Sequence, residues 1–266
     1  MTIDIGHQAL LFVPGDRPER YAKASGSGAD AVILDLEDAV GEDAKPVARA
    51  SLATDFTELP VIVRINAVET RWYKEDLARV QNVKPSAVML PKSQDVETVN
   101  KVVASLGDNI PVIALIESAL GLSNARAIAA SSGVTRLAFG SIDFCADLGC
   151  SHDQDALLMA RSELVLASRL AELLAPIDGV TTNLKDTGKT FADAQYGQRL
   201  GMGGKLCIHP MQVAEVKRAF APSTADIKWA KKVLASGDNA ISVDGAMVDK
   251  PVRLRALSIL SAVKTR

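Results

Sequence analysis

One repeated event constrains this chain more than any other: a short apolar run stops abruptly at a polar or charged residue, and an amphipathic stretch follows. Pro111-Val-Ile-Ala-Leu-Ile-Glu117 is the clearest case, and the pattern recurs at Ala31-Val-Ile-Leu-Asp-Leu-Glu37, Val61-Ile-Val-Arg64, Val88-Met-Leu-Pro-Lys92, Leu137-Ala-Phe-Gly-Ser-Ile-Asp143 and Leu206-Cys-Ile-His209. Runs at Leu10–Val13 and Ile177–Asn183 bring the number of strand candidates to eight, each followed by a helical pattern. Short apolar strands alternating with amphipathic helices predict parallel βαβ units. Eight such units in 266 residues favour closure into a single (β/α)8 TIM barrel over an open doubly wound sheet.

The spacing predicts strands at Ala31–Glu37, Ser86–Lys92, Arg136–Ser141 and Leu206–His209, and helices at Pro46–Phe56, Trp72–Val80, Val96–Leu106, Leu120–Ala130 and Asp153–Leu174. The barrel is assigned to residues 1–221, and residues 222–266 form a C-terminal helical and lid extension. In its last helix Val252, Ala256, Ile259 and Val263 make an apolar stripe with no barrel position to bury it, so it is expected to pack on another surface.

Composition narrows the partners. Apolar residues make up 48% of the chain and charged residues 23%, with a net charge of −2, so neither a disordered chain nor a basic surface for nucleic acid or an anionic membrane is implied. No run reaches the roughly 18 apolar residues of a membrane span, and the amino terminus shows no secretory pattern, so a cytoplasmic protein is expected. Cys145, Cys150 and Cys207 form no Cys-x-x-Cys pair, and His7, His152 and His209 are scattered. Any metal should therefore be held by oxygens.

Side chains two apart in a strand share a face, which groups Ile33 with Asp35 and Glu37, Ile62 with Arg64 and Asn66, and Ile113 with Leu115 and Glu117. The polar member always comes last, toward the strand ends where barrel enzymes keep their active sites. Glu117 and Asp143, on consecutive strands, are the candidate ligands of a hard cation. Arg64 suits capture of a carboxylate or a developing enolate oxygen. Glu37 and Asp38 could complete the cation's shell through waters and join Arg64 as catalytic candidates; Asp35 reads as structural. Lys92 reads equally as a salt-bridge partner or a substrate contact, Gly140 joins the substrate-binding set, and His209 reads as a core histidine rather than a base.

Taken together, Leu11-Phe-Val-Pro-Gly-Asp-Arg-Pro-Glu-Arg20, Ile33-Leu-Asp-Leu-Glu-Asp-Ala-Val40, Val63-Arg-Ile-Asn66, Met89-Leu-Pro-Lys92, Ala114-Leu-Ile-Glu117, Phe139-Gly-Ser-Ile-Asp143 and Lys205-Leu-Cys-Ile-His-Pro210 resemble the citrate lyase β-subunit-like family of CoA ester lyases. The resemblance implies a homo-oligomer, a trimer, that uses Mg2+ to cleave or form a carbon–carbon bond beside a CoA thioester and handles a 2-oxo acid. It implies that Glu117 and Asp143 hold the metal, that Arg64 binds the oxo-acid or enolate oxygen, and that Arg17, Arg20 and Lys23 contact CoA phosphates. It likens Asp244-Gly-Ala-Met-Val-Asp249 to a lid reaching a neighbouring subunit, with Asp249 as base. Gln8 stands where the family commonly has Arg, Ile142 where many members have Glu, and Asn183 where many have Asp. The rival readings are a metal-dependent aldolase on small hydroxy-oxo acids, a thioesterase on the same CoA esters and a non-catalytic subunit of an acyl-carrier complex.

Overall fold

The structure, a computed structural model, describes residues 7–107, 109–236, 241–243 and 246–264. Contacts gather into two units, residues 1–219 and 220–266. In the first, eight parallel strands close in sequence order: β1 (Ala9–Pro14), β2 (Ala31–Asp35), β3 (Val61–Arg64), β4 (Ala87–Leu90), β5 (Val112–Ile116), β6 (Val134–Phe139), β7 (Ile177–Asp178) and β8 (Gly204–Cys207), with β8 returning to pair with β1. This is the (β/α)8 architecture that the alternation predicts.

The helices of this unit are α1 (Tyr21–Ser25), α2 (Lys45–Ala50), α3 (Tyr73–Val83), α4 (Val96–Leu106), α5 (Ala119–Ser123), α6 (Ala125–Ala129), α7 (Ser141–Leu148), α8 (Leu158–Leu170), α9 (Thr187–Leu200) and α10 (Pro210–Phe220). Local chemistry fixes several starts. Asp95, Ser118 and Asp186 each accept a backbone N–H from the first turn of the helix that follows, satisfying donors that a helix leaves orphaned.

Inside the barrel Leu10, Ile33, Ile62, Met89, Ile113, Leu115 and Leu206 form one buried cluster. Alternate residues of a strand share a face, so Asp35, Arg64 and Glu117, two places beyond Ile33, Ile62 and Leu115, point to the same axis at the carboxyl end. Burial of this layer drives closure, and the site is built on top of it.

Several elements are shorter than expected, for identifiable reasons. Strand β2 ends at Asp35 rather than Glu37, because the Asp35 carboxylate turns back to accept the N–H groups of Glu37 and Ala39. Strand β6 ends at Phe139, and α7 begins two residues later, so Asp143 lies in a helix's first turn rather than directly on a strand end. Strand β7 has only two residues, which leaves Asn183 in an exposed loop where it accepts from the backbone of Lys185 and Asp186. The expected Leu120–Ala130 helix breaks at Asn124, and the Asp153–Leu174 helix shrinks to α8. Gln8 precedes β1 at the amino end of the strand, opposite the strand ends that carry the site, where its N–H donates to Asp30 and its carbonyl accepts from Lys205; it is no anion contact of the site.

The second unit contains α11 (Thr224–Ala235), a hairpin of β9 (Ile241–Val243) and β10 (Ala246–Val248), and α12 (Lys250–Lys264). Ser223 and Asp226 form a reciprocal capping box at α11. The stripe on α12 finds its cover within this unit. Ala256 is buried with Ala230, Val233 and Val248, and Val252 and Ile259 pack against them, while Val263 stays exposed. Residues 237–240 and Asp244-Gly245 of the connector lie outside the described residues. Among the described residues no helix is long and apolar enough to cross a membrane.

Candidate active site

At the carboxyl end of the strands a cavity of about 210 Å³ is lined by Phe12, Asp35, Asp38, Arg64, Glu117, Gly140, Asp143 and a group of apolar side chains. Strand register brings the first pair together. Asp35 on β2 stands directly beside Arg64 on β3, and the guanidinium grips both carboxylate oxygens, Nε to Oδ1 at 2.7 Å and Nη2 to Oδ2 at 2.6 Å. Asp35 is fully buried, so this bidentate pair is shielded from solvent. Arg64 lies over the Phe12 ring at 4.8 Å and reaches Glu37 with Nη1 at 3.0 Å and Asp38 at 3.7 Å. Burial alone would lower the Arg64 pKa; the charge and hydrogen bonds of Asp35 outweigh it and hold the guanidinium charged.

Glu37 is buried, and its Oε2 lies within ion-pairing distance of Arg64 without a hydrogen bond to any group among the described residues. Its main chain is fixed by Lys45, whose buried ammonium donates to the carbonyls of Leu36 and Glu37. Burial pushes the Glu37 carboxyl up to about 8; Arg64 opposes the rise and Glu117 adds to it. Burial thus favours the protonated form of Glu37 in unliganded protein. Between the ordinary value of 4.5 and about 8 the folded state binds this proton more tightly than the unfolded state, so stability from this group is present below 4.5 and lost as pH rises through 8. We expect metal-free protein to lose on the order of 5 kcal/mol through this group across that window. Urea denaturation of wild type and Glu37→Gln at the two ends of the window checks it: the substitution should flatten the slope.

Glu117, also buried, follows β5 and accepts the Lys92 N–H on Oε1 at 2.7 Å. Lys92 adopts a left-handed φ of 49°, which aims that N–H inward while its exposed side chain forms no ion pair among the described residues. The structure thus gives Lys92 a main-chain role that neither sequence reading anticipated. Gly140 has a steric role: a Cβ there would sit 2.4 Å from both Cβ and Oε2 of Glu117. Burial pushes the Glu117 carboxyl up to about 7, with the Lys92 N–H opposing and the neighbouring charge of Asp143 adding to the rise. Asp143 is half-buried and faces the same cavity.

Among the described residues no three His, Cys, Asp or Glu side chains converge as a metal group. Glu117 and Asp143 nevertheless fit a hard divalent cation: they are close enough to repel, supply only oxygens, and leave room for the waters such an ion retains.

A second cavity, about 510 Å³, adjoins the first and shares Phe12 and Ile208 with it; Arg20, Lys23 and His209 line it. Arg17 lines neither cavity and lies 3.8 Å from Asp16. His209 is half-buried on this second cavity rather than in the core, because β8 ends at Cys207; its Nδ1 accepts the Met211 N–H. In the other unit, Asp249 caps α12, with Oδ1 accepting from Val252.

Some site residues had no place in the sequence reading. Phe12 carries the Arg64 guanidinium, and its period-two spacing from Leu10 on β1 was the available signal. Ser141 lines the cavity and meets His152 Nε2 at 2.9 Å, a contact made by chain reversal after α7 and without a signature in the sequence.

The family model for HpcH/HpaI aldolase/citrate lyase matches residues 8–210. A citrate lyase subunit beta-like protein of Deinococcus radiodurans is 36% identical, covering 96% of each chain. A (3S)-malyl-CoA thioesterase of Cereibacter sphaeroides is 35% identical, covering 92% of each. The crystal structure of protein CitE from Mycobacterium tuberculosis in complex with magnesium, acetoacetate and coenzyme A superposes with a TM-score of 0.87 at 35% identity, over 97% of this chain and 98% of that one. By the span of the family match and the full-length likeness of these relatives, the chain belongs to the HpcH/HpaI aldolase/citrate lyase family.

Proposed function

We propose that this chain is a magnesium-dependent carbon–carbon lyase that cleaves a 3-hydroxy-acyl-CoA of malyl, citramalyl or citryl type to a 2-oxo acid and an acyl-CoA. The observation that carries the reading is the meeting of Glu117, Asp143 and Arg64 on one cavity, with Glu37 paired to Arg64 and an adjoining cavity flanked by Arg20 and Lys23. The magnesium and coenzyme A bound by the Mycobacterium tuberculosis relative support it. Magnesium held by Glu117 and Asp143 would polarise the substrate's carboxylate and hydroxyl as a Lewis acid.

The chain's own residues do the rest. Arg64, fixed by Asp35 and Phe12, presents a preorganised positive charge where enolate charge develops. The hydroxyl proton passes to a carboxylate base, for which Asp249 of a neighbouring copy is our candidate. The bond between the carbinol carbon and the thioester α-carbon breaks, its electron pair forms the thioester enolate, and protonation at carbon gives the acyl-CoA. Glu37, whose Oε2 meets Arg64 Nη1 at 3.0 Å, helps hold that guanidinium in place.

Arg20 and Lys23 are exposed cations at the adjoining cavity, suited to CoA phosphates. Removing both charges is expected to raise KM for the CoA ester about tenfold while leaving kcat within about twofold, and the rise should shrink at high salt. Steady-state kinetics at two ionic strengths checks this.

A second reading, hydrolysis of the same thioester, is favoured by the relatives named (3S)-malyl-CoA thioesterase. Products separate the two. Malyl-, citramalyl- and citryl-CoA, each incubated with pure protein and magnesium, should yield a 2-oxo acid and an acyl-CoA for one of them. Free CoA thiol with the intact hydroxy acid would establish hydrolysis instead.

A further inference from the structure

The cavity has two chemically different sides. Its charged groups come from the ends of β2, β3 and β5 and from the first turn of α7. The arc from β7 through β8 to β1 is continuous, because β8 closes on β1, and it contributes Val180, Leu206, Ile208 and Phe12. Ile142 joins this apolar set from α7; it is 41% exposed and Ile208 40%, so both offer hydrocarbon surface to whatever occupies the site. Among the described residues that line the cavity, Arg64 is the only cation, and two of its nitrogens are already bound to Asp35.

The carbinol carbon of a 3-hydroxy-acyl thioester carries four groups. Hydroxyl and carboxylate belong on the charged side. The thioester arm leaves across Phe12 and Ile208, which the adjoining cavity shares. The fourth substituent is then left toward Ile142, Val180 and Leu206. It is hydrogen in a malyl thioester, methyl in a citramalyl thioester and carboxymethyl in a citryl thioester.

We propose that this substituent is a short alkyl group, so that the 2-oxo-acid half of the substrate is an alkyl monocarboxylate of the pyruvate type, and that Ile142 and Val180 set the preference. A carboxymethyl group would place a second carboxylate against hydrocarbon with no cation to meet it among the described lining residues. A methyl or ethyl group instead loses water contact, worth about fourfold in affinity for each carbon buried. The inference rests on the proposed lyase reading, and it makes a statement about binding that does not depend on turnover.

Calorimetric titration of the full chain in magnesium with glyoxylate, pyruvate, 2-oxobutyrate and oxaloacetate tests it. Pyruvate and 2-oxobutyrate should bind tightest, and oxaloacetate at least about tenfold more weakly. Ile142→Lys, at an exposed position that tolerates a long side chain, should narrow or reverse that ratio by supplying the missing cation. Oxaloacetate binding as tightly as 2-oxobutyrate in the wild-type chain overturns the proposal. The companion measurement is cleavage of citramalyl-, malyl- and citryl-CoA. Alkyl selectivity in binding without cleavage of any thioester defeats the lyase reading and upholds this one, whereas cleavage of citryl-CoA as fast as citramalyl-CoA does the reverse. Failure of all four oxo acids to bind overturns both.

Discussion

Replacing Glu117 with glutamine is expected to lower magnesium-dependent turnover by at least about 10³-fold while the barrel stays folded. The substitution keeps the shape of the side chain, and its amide oxygen can still accept the Lys92 N–H that Oε1 accepts at 2.7 Å. It also removes a buried carboxyl whose burial and nearness to Asp143 oppose ionisation. Unliganded Glu117→Gln should therefore be at least as stable as wild type at pH 8, and the stabilisation that magnesium gives the wild-type chain should disappear. Turnover of a CoA ester, magnesium titration calorimetry and urea denaturation on the same preparation check the three expectations. Turnover that persists would remove Glu117 from the metal site, and an unfolded variant would make its role structural.

What the sequence exposed was periodicity. Ile33, Ile62 and Leu115 stand two residues before Asp35, Arg64 and Glu117, and that spacing is enough to orient a strand's polar end once closure buries the apolar members. Cross-strand partners were less visible. The Asp35 to Arg64 contact depends on register between two strands separated by a helix, and alternation within one strand says nothing about register with the next. A bland reading of Asp35 as structural and a functional reading of Arg64 were each reasonable alone; the structure makes them one unit.

Main-chain roles were hidden for another reason. Lys92 was read through its ammonium, yet a left-handed backbone turns its N–H to Glu117. Gly140 was read as a substrate contact, yet its lack of a Cβ is what admits the Glu117 side chain. Both depend on backbone angles and close approach, which residue identity signals only for glycine, and then without naming the neighbour. The apolar arc of the cavity was legible in part: Leu206 belongs to an obvious strand, whereas Val180 and Ile142 lie beyond strand ends that the sequence misplaced.

Arg64→Ala is expected to cost about 3–5 kcal/mol of folding stability as well as activity, because it leaves Asp35 buried without a counter-charge. Two backbone N–H groups, from Glu37 and Ala39, still reach the carboxylate, and they soften the loss without replacing a bidentate guanidinium. Arg64→Lys should recover part of the stability and little of the activity, since one ammonium cannot hold both Asp35 oxygens and still face Glu37 and the Phe12 ring in the same geometry. The double substitution Asp35→Asn with Arg64→Ala separates the two roles. Removing the orphaned charge should restore most of the folding free energy measured in urea, while turnover stays at the level of Arg64→Ala. Were the double variant to regain turnover, the contribution of Arg64 would be to neutralise Asp35, and the enolate charge would need another partner; were Arg64→Ala to lose under about 1 kcal/mol, the two N–H groups alone would suffice to hold a carboxylate in the barrel wall.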